Sequence, residues 1–261
     1  MSLNKKLLYI LIFYSFSYCQ LYAKPLAIIS LAPSVTENIF EANAQKYLVG
    51  IDDASKFPLQ TKNIEIISDI RGLYIEKILS LNHKYNLIAF AWKDGTSLRS
   101  INKLNQYNIK TVWLNSNSPL DIPNNLNIIA KILNIPVNDI LINKINNILN
   151  ETKNTYQNSK KLTYIYPIWS TPIMILNNDN YPDNLLKYCN MHNVFRNNKT
   201  NLLSQETLLQ YSSDRILYND EINNLLPLLK GKKIIKINTD YIVRATSRSV
   251  IALPYICKTI R

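Results

Sequence analysis

Between residues 137 and 160 the chain carries no glycine and no proline, and apolar residues at 137, 140, 141, 145, 148 and 149 keep a helical period. Pro136 stands just before this run, where proline suits a helix start. A helix over 137–160 would be a rod of about 36 Å. A rod of that length can cross from one lobe to another, so the segments on its two sides decide the architecture.

Both sides alternate strand and helix. Before the rod, the pattern predicts strands at Leu26–Leu31, Tyr47–Ile51, Leu87–Ala91 and Thr111–Leu114. Helices are expected from Pro33 to Phe40 and over Ile75–Leu81, Ser97–Gln106 and Asn124–Leu133. After it, strands are expected at Leu162–Tyr166, Arg215–Tyr218 and Lys233–Ile237. Helices are expected at Tyr181–Tyr188, Ser204–Tyr211 and Arg248–Thr259, with Pro254 bending the last or shifting its start. Such alternation argues parallel βαβ units. The expected fold class is α/β: two Rossmann-like βα lobes joined by a single long backbone helix. The expected organisation is 1–23 leader, 24–118 first lobe, 119–161 helical linker and 162–261 second lobe. The two halves also echo each other. Glu76-Lys-Ile-Leu-Ser-Leu-Asn82 precedes a strand from Leu87, and Glu206-Thr-Leu-Leu-Gln-Tyr-Ser212 precedes one from Arg215.

Lys5 and Lys6, the apolar stretch Leu7–Tyr18 and the small residue Ala23 read as a secretory signal peptide cleaved after Ala23. The apolar stretch is short of the roughly 17 residues a bilayer core needs. Cleavage removes Cys19 and leaves Cys189 and Cys257. An even pair in an oxidising compartment suggests a disulfide, the alternative being two separate buried thiols.

The remaining composition excludes several chemistries. The four glycines, Gly50, Gly72, Gly95 and Gly231, are too dispersed for a phosphate-cradling loop. Two histidines, His83 and His192, lie outside any metal-ligand spacing, so no metal site is expected. No Ser–His or Cys–His arrangement stands out for a secreted enzyme. The net charge of +12 comes from lysines spread along an Ile- and Asn-rich chain, which argues against a nucleic-acid footprint.

Specific segments resemble a known family. Ile29-Ser-Leu-Ala-Pro-Ser-Val-Thr-Glu37, then Val49-Gly50 and Phe57-Pro58, look like the opening of the cobalamin and ferric-siderophore binding proteins of ABC importers, the class III group with a helical backbone. Ser68-Asp-Ile-Arg-Gly72 with Glu76, and Asn193-Val-Phe195, continue the likeness. Thr239–Arg248 most closely resembles the cobalamin-binding members. The likeness covers nearly the whole chain after the leader. It implies a periplasmic monomer that holds cobalamin (vitamin B12) between its lobes as cargo, needs no cofactor, catalyses nothing, and delivers to a permease and ATPase complex in the inner membrane. Ferric siderophores and haem are the alternative ligands within the same family. The implied ligand contacts are Pro33, Ser34, Phe57, Trp92, Trp169, Asp240 and Arg244. Glu76 and Glu206 are the implied contacts to the permease, one per lobe. Two positions depart: Ile70 stands where the cobalamin-binding members carry tryptophan, and Asn198–Leu202 lacks a tryptophan expected there.

Overall fold

The computed structural model describes residues 24–93, 95–177 and 180–261. The leader at 1–23 lies outside the described residues.

Six strands build the first sheet: β1 (Leu26–Ser30), β2 (Leu48–Asp52), β3 (Glu65–Asp69), β4 (Gly72–Leu73), β5 (Asn86–Trp92) and β6 (Lys110–Leu114). Their spatial order is β4-β3-β2-β1-β5-β6, parallel except for the β3–β4 hairpin. The chain leaves β1 toward β2 on one side and returns to β5 on the other. The sheet therefore has a switch point beside β1, where doubly wound folds open a crevice. The apolar run of β1 faces helices on both sides. Ile28 packs with Val35, Ile39, Leu126 and Ile129, while Ile29 packs with Ile67, Ile78, Leu81 and Leu104. Apart from Ile67 on β3, these partners lie on α1 (Pro33–Glu41), α2 (Ile75–Lys84), α3 (Leu98–Gln106) and α4 (Asp121–Leu133). Gly50 is required by this packing, since a Cβ there would stand 2.9 Å from Ile67 and 3.0 Å from Ile29.

The connecting helix, α5 (Asp139–Tyr156), is 18 residues long, or about 27 Å. It is shorter than the predicted 137–160 at both ends. Asn138 stops it at the front by accepting from the Leu141 N–H, and its amide also donates to the Glu41 carbonyl. The early side chains Leu141 and Ile142 pack on the first lobe's core, and Ile145 and Leu149 are buried in the second's. The helix thus spans both cores.

The second lobe divides its strands. β7 (Leu162–Ile165), β10 (Met191–Asn193), β12 (Arg215–Tyr218) and β13 (Ile234–Lys236) form a parallel sheet in the order β10-β7-β12-β13. β8 (Pro167–Ser170), β9 (Ile173–Ile175) and β11 (Leu202–Leu203) form an antiparallel one that the periodicity did not predict. Helices α6 (Tyr181–Leu186), α7 (Gln205–Gln210), α8 (Asp240–Val243) and α9 (Ser247–Ile260) complete it. Pro254 lies inside α9, and the helix start is not displaced to accommodate it. The expected disulfide is present: Cys189 and Cys257 are bonded, with Cα atoms 5.1 Å apart and both side chains fully buried. The bridge ties the turn after α6 to α9. No helix among the described residues is long and apolar enough to cross a membrane.

Candidate functional site between the lobes

The carboxyl edges of the two parallel sheets meet through α1 and residues 244–248. Pro33 begins α1 directly after β1, and Ser34 follows it. Successive turns of that helix supply the contacts. The Ser34 carbonyl accepts from the Asn38 amide, which also donates to the Ala245 carbonyl of the second lobe at 2.9 Å. Glu37, with its side chain 1% exposed, accepts from Arg248 at 2.7 and 2.8 Å and from Arg244 at 3.3 Å. Glu41 accepts from the backbone N–H and the hydroxyl of Ser247 at 2.8 and 2.7 Å. Residues 35–39 are buried in succession, polar ones included, because one side of α1 faces its own sheet and the other faces the second lobe.

Burial of charge here has a cost that only pairing offsets. Glu37 has two guanidinium partners. Glu41 has hydrogen bonds but, among the described residues, no ion pair; burial pushes its carboxyl up to about 7, against the pull of Ser247. Its second oxygen is buried without a hydrogen-bond partner. Arg248 also lies over the Phe57 ring at 4.0 Å and near the Tyr241 ring at 5.8 Å, so Phe57 is tied to the second lobe by a cation–π contact.

Two cavities flank this junction. The first, about 630 Å³, opens at the carboxyl edge of the first sheet between the β3–β4 hairpin and α3. Ile70 at the hairpin tip is 99% exposed and Arg71 beside it is held by Asp69 at 2.6 Å. The Arg71 guanidinium and backbone hold the Asp69 carboxyl down to about 2. The second cavity, about 590 Å³, opens at the ends of β12 and β13 and is lined by Asn219, Asp220, Glu221, Lys236 and Asp240 among others.

The residues implied by family resemblance fall unevenly on this geometry. Pro33, Ser34 and Trp92 lie at the first sheet's switch point. Trp92 is half-buried and lines a narrow gap between the lobes with Asn38, Asn125 and Ala245. Its ring lies so close to Gly95 that a Cβ there would stand 2.2 Å away. Asp240 lines the second cavity and pairs with Arg244 at 3.0 Å. Arg244 is therefore shared between Asp240 and Glu37. Trp169 is half-exposed on β8, its indole donating to the Thr171 carbonyl. Glu76 and Glu206 sit in the first turns of α2 and α7, each before a central strand. The Ser204 hydroxyl lowers the Glu206 carboxyl. Glu37 and Glu41 were not singled out by sequence. Their one visible signal is two acids at i and i+4 in a basic chain.

No family model matches the chain. Solved structures do. The periplasmic vitamin B12 binding protein BtuF of Vibrio cholerae superposes with a TM-score of 0.78 at 22% identity, over 91% of this chain and 97% of that one. The chain has the fold of the class III periplasmic binding proteins. A second member of that fold, the periplasmic heme-binding protein RhuT from Roseiflexus sp. RS-1, superposes with a TM-score of 0.75 at 18% identity, over 90% and 97% of the two chains. By sequence, the chain is 27% identical over 246 residues to the vitamin B12-binding protein of Vibrio vulnificus strain YJ016, covering 88% of each. These relatives are named for binding, not for a reaction.

Proposed function

We propose that the protein captures cobalamin between its two lobes in the periplasm and delivers it to an ABC importer. The observation that carries the reading is the junction itself. Two sheet edges of the kind that hold ligands, each with a cavity, are braced together by α1, and the named vitamin B12-binding relatives match over most of the chain. A corrinoid is a large ring with amide arms, and needs apolar faces beside a few polar groups. Phe57, Trp92, Trp169, Pro33, Ser34, Asp240 and Arg244 supply both kinds in this reading. Residues 24–118 and 162–261 are its lobes, 119–161 its linker, and residues 1–23 its export signal. The protein acts as a monomer. Glu76 and Glu206 are the docking acids, one for each half of a two-fold permease. Charge reversal at both is expected to abolish uptake while cobalamin binding stays normal; full uptake would leave them only a helix-dipole role.

Absorbance titration of the mature protein with cyanocobalamin, haem and a ferric siderophore tests the ligand. One-to-one binding of cyanocobalamin is expected. Binding of a ferric siderophore with no corrinoid bound would overturn the cobalamin reading and leave the fold.

A further inference from the structure

The two cavities carry opposite charge. On the first lobe, Arg71, Arg99 and Lys103 line the cavity against one carboxylate among the described residues, Asp69. Asp69 is taken up by Arg71 through both a 2.7 Å hydrogen bond and a 2.6 Å ion pair. Arg99 and Lys103 are i and i+4 on α3, so they project from one face. Lys103 lies 5.9 Å from the Tyr107 ring, and among the described residues no carboxylate pairs with either cation. On the second lobe, Lys236 is cancelled by Asp220 at 2.6 Å and Asp240 is shared with Arg244, which leaves Glu221. The first cavity is thus a cationic mouth and the second a mildly acidic one.

We propose that Arg71, Arg99 and Lys103 form an anion subsite that takes a phosphate or carboxylate substituent of the bound ring and so orients the ligand in the cleft. The proposal rests on the cobalamin reading for its first probe. Arg71 is pre-oriented by Asp69, which also lowers its ability to act alone. Arg99 and Lys103 supply the uncompensated charge. The apolar side chains of Ile70, at the cavity, and of Leu98, beside Arg99 and 73% exposed, offer non-polar surface next to these cations. An amphipathic ring edge with one anionic arm matches that juxtaposition. The opposite sign of the second cavity disfavours the reversed pose, because the anion would then meet Glu221, whose charge no lining cation offsets.

The test compares the wild type with the double variant Arg99→Gln, Lys103→Gln. Both side chains are exposed, so thermal unfolding should be unchanged and serves as the fold control. Cyanocobalamin carries a phosphodiester in its nucleotide arm; cyanocobinamide lacks that arm. The variant should bind cyanocobalamin about tenfold more weakly, the scale of one charge-assisted hydrogen bond, and cyanocobinamide about as well as the wild type does. The loss should shrink at high salt. Equal loss for both corrinoids, or no loss for either, overturns the proposal. If the wild type binds haem and no corrinoid, the cobalamin reading fails and the subsite is judged on haem against its dimethyl ester by the same criterion. If it binds neither, both proposals fall.

Discussion

The first lobe is one continuous sheet of six strands with apolar clusters on both faces, whereas the second spreads its strands over two smaller sheets. A central strand such as β1 is fixed from both sides by neighbours and helices. In the second lobe β7 plays that part with Tyr164 on one face and Ile165 on the other, but the chain soon leaves for the short antiparallel sheet. A disulfide is found in the second lobe and not in the first. The difference suggests that a divided sheet is held by a covalent tie where a continuous one relies on packing. The largest expected effect follows. The bridge closes a sequence separation of 68 residues, worth about 4 kcal/mol in the chain-entropy model. Denaturant unfolding of Cys189→Ser, Cys257→Ser should show that loss, with the second lobe unfolding first in hydrogen exchange. Uniform loss of protection in both lobes would erase the contrast.

The junction between the lobes is the next place to press. Glu37→Ala leaves Arg244 and Arg248, each about a fifth exposed, without their buried carboxylate. Removing one partner of a buried pair typically costs 3–5 kcal/mol, and the partial exposure of the arginines puts the expected loss at the low end, about 3 kcal/mol. A double-mutant cycle with Arg248→Ala reads the coupling directly. Strict additivity would mean that the two lobes are stabilised independently.

Much of the fold was legible because its central strands are apolar runs: β1, β5, β7 and β12 are fully or largely buried, and periodicity finds such runs. The hairpin at β3–β4 was missed because Glu65 and Asp69 bound β3, and the antiparallel sheet because Pro167, Pro172 and strands of two to four residues carry no clear period. The ends of α5 were overextended because the sequence holds no Gly or Pro there, while Asn138 stops the helix by its side chain. In the site, motif likeness led to Pro33, Ser34, Trp92 and Arg244 around the junction. Glu37 and Glu41 escaped, since their partners are 206 to 211 residues away in sequence. No local pattern encodes a contact of that separation.

Glu41 makes the same junction pH-sensitive. Its folded carboxyl titrates near 7 rather than at the ordinary 4.5, because it is buried. The folded protein therefore holds this proton more tightly than the unfolded chain does, and stability falls as pH rises from about 4.5 to about 7. The full span is worth about 3 kcal/mol for a shift of this size. Glu41→Gln should flatten the stability–pH curve across that window while leaving Cys189–Cys257 variants as pH-sensitive as the parent. A wild-type curve that climbs with pH through the window would mean that Glu41 is ionised and paired.

The smallest expected effect is in shape. Hinged binding proteins close widely when crossing strands end in loops that absorb the rotation. Here α5 crosses between the cores as one helix without Gly or Pro, and its two ends are packed in different lobes. Alongside it, Glu37 grips Arg248 and Asn38 grips the Ala245 carbonyl, so a rotation of one lobe would have to break buried polar contacts as well as bend a helix. Small-angle scattering curves of the free and cyanocobalamin-bound protein should nearly superimpose. Glu37→Ala separates the two restraints, because it removes the ionic grip and keeps the helix. If the helix dominates, the variant's curves also superimpose and only its stability falls. If the ionic grip dominates, the free variant opens and ligand binding draws it closed. A large closure in the wild type would show that neither restraint sets the angle between the lobes.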